Sequence, residues 1–267
     1  MGKNPAWSWY IVWYFFVGGV AAGAYVMAAI ADLLGRDEDR PVAKAGYALA
    51  FPLIIICPLL LTLDLGMPVR TFNMFRLFKW QSPMSVGSWA LLGFGIVGLC
   101  SLLLVLRDRP GDRRLRQVLA IPGGILGFFI ASYTGVLLGA TNRPLWVWNN
   151  WIGPLFLVSA FSTGVAALVL LLARTKLWEF RRVHLLATGF EALLLVLFLQ
   201  SLGAGAALFL SGSFAPLFWG GVVAAGLALP FGLALLPRAR PVEAVAAILV
   251  LVGGLALRYL VLAGGQT

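Results

Sequence analysis

Apolar runs long enough to cross roughly 30 Å of hydrocarbon as helices recur from one end of this chain to the other. That repetition constrains the fold more than any other feature. A soluble domain would show amphipathic stripes with charged faces. Here 61% of residues are hydrophobic and 11% charged. Inside hydrocarbon every backbone donor and acceptor needs an internal partner, which helices provide. The chain therefore reads as an all-α membrane protein with eight transmembrane helices, at 9–32, 44–65, 87–106, 117–140, 153–173, 183–204, 214–236 and 243–263. We expect a single integral membrane domain over 1–267, its helices in two packed bundles. No cleavable leader is expected, because Met1 to Pro5 is short and the first apolar run is full length.

The net charge of +10 suggests nucleic acid until the basic residues are placed. Arg36, Arg40, Lys44, Arg107, Arg109, Arg113, Arg114, Arg116, Arg174, Lys176, Arg181, Arg182, Arg238 and Arg240 fall between spans on one side. The other side holds Lys3, Arg70, Arg76, Lys79 and Arg143. This asymmetry is the positive-inside pattern, so both termini are expected outside, in a bacterial or archaeal inner membrane. Trp7, Trp9, Trp13, Trp80, Trp89, Trp146, Trp148 and Trp151 then cluster at the outer interface, where an aromatic belt is expected. The stretch Val69 to Phe78 has the pattern of a short interfacial helix, with a plain connector as the equal alternative.

Buried charge is costly in a bilayer and tends to be kept where it acts. Two polar interruptions stand out. One is L-D-L-G-M-P-V-R (Leu63 to Arg70) with S-P-M-S-V-G-S-W (Ser82 to Trp89). The other is S-Y-T-G (Ser132 to Gly135) with T-N-R-P-L-W (Thr141 to Trp146). They place Asp64, Tyr133 and, from the first span, Tyr14 near one depth, with Arg70 as a partner for Asp64. Glu191 lies deep in the sixth span, and His184, seven residues earlier, shares its helical face. The pair can begin a proton wire from the inside, or Glu191 can be a neutral acid bonded within the bundle. Arg258 is either a counter-charge or a snorkelling cation. Ser159, Ser162 and Thr163 serve their own backbone as readily as a ligand. Asp32 and the other acids between spans are expected to be solvated. Gly19 and Gly23, Gly123 and Gly127, and Gly135 and Gly139 have the spacing of close helix packing. Cys57 and Cys100 lie far from other ligands, and a single histidine cannot form a bis-histidine haem. No metal is expected in this chain.

At these residues the sequence resembles the NrfD/PsrC family, the membrane subunits of polysulfide reductase and related molybdenum enzymes. The likeness runs through W-x-W with G-G-V-A-A-G (Trp7, Trp9, Gly18 to Gly23), the two interruptions above, and L-R-Y-L-V-L-A-G-G-Q (Leu257 to Gln266). Eight spans rather than ten resemble the shorter, polysulfide-reductase-like branch. The resemblance implies a haem-free, quinone-reactive membrane subunit using menaquinone or ubiquinone. It also implies a partner iron–sulfur subunit on the outer face, which serves a molybdopterin catalytic subunit. The family's quinone-site tyrosine falls on Tyr133. The Asn and His of that branch's first helix fall on Ile11 and Tyr14, which makes Tyr14, Trp13 or Asp64 substitutes for them.

Quinol oxidation releases two electrons and two protons, so the site needs hydroxyl partners and a proton exit. Tyr133 and Asp64 suit those roles. Arg70, Asn142 and Trp89 complete the expected head-group set, and Asp64, Glu191, His184 and Arg258 the proton-transfer set. The direction of electron flow stays open. A proton-coupled transporter or channel is the rival reading, although no internal repeat is visible between the halves. An inert membrane anchor is the third.

Overall fold

The computed structural model describes residues 7–65, 78–107, 109, 111–141, 143–147, 149–172, 178–237 and 239–267. All regular structure among them is helical. Among the described residues, eight helices are long and apolar enough to cross a membrane. They are α1 (Trp9–Leu34), α2 (Arg40–Leu65), α3 (Pro83–Arg107), α4 (Asp112–Gly139), α5 (Ile152–Leu171), α6 (Trp178–Leu202), α7 (Ala215–Leu235) and α8 (Arg240–Gly264). A short helix, Pro144–Val147, precedes α5.

Several helices run a turn further than the apolar runs that signal them, as at Arg40 in α2 and Asp112 in α4. Hydropathy marks the hydrocarbon edge, whereas the backbone ladder continues until a cap ends it. Ser8 caps α1 by accepting from Tyr10 N at 3.2 Å. Gly203, with φ +54°, follows the end of α6.

The first helix packs on α2, α4 and α5; α3 packs on both α2 and α4; α5 and α7 pack on α8, and α5 also on α6. Lipid tails are as apolar as side chains, so association here rests on close approach at small residues. A β-carbon on Gly23 would overlap the Ala160 carbonyl, one on Gly164 the backbone of Gly23 and Ala24, and one on Gly135 the Gly153 backbone. Gly19 and Gly123 act differently from the expected helix-to-helix contact. Gly19 makes room for the Arg258 guanidinium, 2.6 Å from where its β-carbon would lie, and Gly123 for the Tyr25 ring.

Within α7 the turn from Phe218 to Ala228 is π-helical. Its buried residues are Phe218, Val222, Gly226 and Leu227, and Gly226 meets Gly253 of α8 almost backbone to backbone.

Asp32 is not the solvated end-of-helix acid that its position suggests. It is 5% exposed, and Arg116 of α4, 2% exposed, grips it through two hydrogen bonds of 3.0 and 2.9 Å. The chain ends meet at one face of the molecule: Trp7 N donates to Gln266 Oε1 at 2.8 Å. We call this the terminal face.

Candidate functional site

Tyr133 lies near the terminal-face end of α4, 6% exposed, and its hydroxyl donates to the Pro83 carbonyl at 2.6 Å. Pro83 opens α3 within S-P-M-S-V-G-S-W, and Gly87, one turn on, has no side chain because the Tyr133 ring fills that space. Phe129 stacks on the ring at 5.4 Å. The two polar interruptions of the sequence thus meet through one phenol.

Tyr14 of α1 is 3% exposed, with Cys57 and Tyr133 in its neighbourhood. Its hydroxyl has no hydrogen-bond partner among the described residues. Gly18, one turn below, touches Cys57 Sγ, so α1 and α2 approach closely under this group. Asp64 stands nearer the surface, exposed in the last turn of α2, and accepts a hydrogen bond from the Ser8 hydroxyl. That places it above Tyr14 rather than beside it. Trp13 is 43% exposed with its edge against Phe16, and Trp89 is 37% exposed with its edge against Phe78. Arg70, Asn142 and most of the stretch Val69 to Phe78 lie outside the described residues.

A second polar group lies deeper, where α1, α5, α6 and α8 converge. Arg258 is 1% exposed and does not snorkel. It donates to the Phe15 carbonyl at 3.0 Å, the Gly254 carbonyl at 2.8 Å and the Ser159 hydroxyl at 3.1 Å, and lies over the Phe16 and Phe156 rings. Glu191, 7% exposed, has Ser159, Ser162 and Arg258 around it. Ser159 stands between the Glu191 and Arg258 side chains. Thr163 turns back to its own helix, on the Ser159 carbonyl at 2.8 Å. A small cavity of about 10 Å³ adjoins Glu191, lined also by Gly226 and Gly253.

From Glu191 toward the far face, α6 presents Thr188 and then His184. Among the described residues, the Thr188 hydroxyl, the Ser162 hydroxyl and His184 Nε2 are buried without a hydrogen-bond partner. Such groups are uncommon in proteins and invite ordered water. His184 and Glu243 line a cavity of about 60 Å³ at the end of the molecule away from the termini.

Sequence reasoning missed the structural part of the terminal face. Trp146 was expected in an interfacial belt, yet it is fully buried, donating to the Val261 carbonyl at 3.0 Å and packing on Gly265. Arg143 reaches the Gly265 carbonyl at 3.2 Å. N-R-P-L-W and A-G-G-Q therefore clamp each other, and their joint presence in the sequence was the available signal. Trp9, stacked on Tyr259, and Trp80 are exposed as a belt requires.

The family model described as "Polysulphide reductase, NrfD" matches residues 1–267. The chain belongs to the NrfD family. It is 32% identical to the C subunit of the polysulfide reductase of Wolinella succinogenes, over 99% of this chain and 96% of that protein. It is 26% identical to protein NrfD of Escherichia coli, again over 99% and 96%. As an NrfD-family chain with eight candidate spans, it is a multi-pass membrane protein, consistent with a membrane anchor of a respiratory complex.

Proposed function

We propose that this chain is the quinone-reactive membrane subunit of a respiratory oxidoreductase. It exchanges electrons between menaquinol or ubiquinol and an iron–sulfur subunit docked on the terminal face, which serves a molybdopterin catalytic subunit. The termini are outside, and the helices form two packed bundles. The observation that carries this reading is the meeting of Tyr133, Pro83 and Gly87 beside Tyr14 at that face, in a chain of this family.

The residues suit a quinone head group: a phenol fixed by a backbone carbonyl, a second phenol with an unused hydroxyl, and apolar surroundings. A bound quinol supplies two electrons and two protons. Tyr133 and Tyr14 hold and orient the ring oxygens. Asp64, exposed above them and bonded to Ser8, receives a proton and passes it to the surface. Arg70, Asn142, Trp13 and Trp89 stay in the proposed head-group set. On the inner side, His184, Glu191 and Arg258 form a proton-transfer route. The unpartnered Thr188 and Ser162 hydroxyls support it by offering sites for bridging water. At the end of that route Arg258, held on the Phe15 carbonyl next to Tyr14, supplies a positive charge that attracts the Glu191 carboxylate.

The test is quinol-dependent electron transfer by the assembled complex. Tyr133→Phe combined with Asp64→Asn is expected to lower the rate at least tenfold without loss of assembly. Unchanged activity would leave only an inert anchor, and solute flux by the chain without partners would favour a transporter. In liposomes, Glu191→Gln is expected to slow proton translocation. If turnover and translocation both stayed intact, the inner route would be excluded.

A further inference from the structure

The bond from Tyr133 to the Pro83 carbonyl commits the hydroxyl's only proton. A phenol has one donor and two lone pairs, so what Tyr133 still offers a neighbour is an acceptor. The local sequence builds this arrangement. Pro83 fixes the first turn of α3, Gly87 provides the hollow for the ring, and Phe129 stacks on it. Cys57 Sγ donates to the Leu53 carbonyl at 3.4 Å and the Ser8 hydroxyl donates to Asp64, whereas the Tyr14 hydroxyl keeps both its proton and its lone pairs and serves either redox form, so the discrimination falls on Tyr133.

On the reading that Tyr133 faces a quinone head group, we infer that the Pro83–Tyr133 bond, seated by Gly87, makes the site selective for hydroquinone over quinone. A hydroquinone O–H meets the Tyr133 lone pair and completes its hydrogen bonding. A quinone carbonyl brings only lone pairs, and binds Tyr133 only after the Pro83 bond is broken. Leaving a buried acceptor against an acceptor costs about tenfold in affinity. Tighter binding of the reduced form raises the midpoint potential of the bound couple. For a two-electron couple, tenfold corresponds to about 30 mV. Pro83 and Gly87 thus act as positioning residues, through Tyr133.

The experiment is an anaerobic binding titration of the full chain in lipid nanodiscs. Decyl-ubiquinone and 2,3-dimethyl-1,4-naphthoquinone are the probes, each in its oxidised and reduced form. The quinol of whichever pair binds is expected to bind about tenfold more tightly than its quinone. Tyr133→Phe should bring the two affinities together, lowering that of quinol and relieving the penalty on quinone. Gly87→Ala, which displaces the ring, should collapse the same ratio. Equal affinities in the unmodified chain, or equal losses of both forms in Tyr133→Phe, would overturn the selectivity and leave the head-group site standing. If neither pair binds saturably, the head-group site itself fails and the selectivity with it.

Discussion

Arg116 gives the Nε–Nη2 edge of its guanidinium to Asp32, and Gln117 holds the Asp32 carbonyl at 2.8 Å, so α1 and α4 are tied by a buried charge pair at the ends away from the terminal face. Breaking such a pair strands the remaining charge. Arg116→Met is expected to destabilise the protein by about 3–5 kcal/mol. Asp32→Leu with Arg116→Met should recover most of that loss, as read by unfolding in mixed micelles. Equal losses in the single and double variants would contradict the pairing. The sequence did not disclose this contact, because each residue alone has the look of a helix-end charge and the partner lies far along the chain. Tyr14, Tyr133, Glu191 and Arg258 were legible, since polar groups stand out against an apolar run. What they touch was not: the Pro83 carbonyl and Ser159 carry no signal of their own as partners.

At the scale of elements, all eight spans were readable from hydropathy, while their ends moved by up to about a turn because hydropathy does not report capping. The π-helical stretch of α7 left no comparable trace, since a row of small and β-branched residues fits either winding. The same stretch holds the close contact with α8 at Gly226 and Gly253. Glycines divide by what surrounds them. Gly135 has the Gly153 backbone where its β-carbon would go, whereas Gly189 has nothing within 4 Å. Gly135→Ala is expected to cost about 1–3 kcal/mol by forcing α4 and α5 apart. Gly189→Ala should be neutral or stabilise by up to about 1 kcal/mol through helix propensity. Thermal unfolding of the two variants side by side checks this, and a reversed order would contradict the packing described here.

Across the whole molecule, charge asymmetry and helix number together are the basis for proposing that both termini are outside. With both termini outside, Thr267→Cys in a background lacking Cys57 and Cys100 should react with an impermeant maleimide on intact cells. Arg109→Cys should react only after the membrane is opened. The reverse pattern would invert the topology and place the Tyr133 group on the inner face. The family was readable because its motifs run in order along the sequence, and the meeting of two of them at Tyr133 follows from α3 and α4 being packed neighbours. The division of labour at the terminal face was less readable, since one set of motif residues gathers at Tyr133 and another, with Trp146 and Gln266, fastens the two ends of the polypeptide. The central claim is that Tyr133 binds a quinol head group, and it is met most directly by equilibrium binding of quinol to the purified complex under anaerobic conditions. Saturable binding that Tyr133→Phe weakens by about five- to tenfold, the worth of one hydrogen bond, is the expected result. Binding that is absent, or that Tyr133→Phe leaves unchanged, would contradict it.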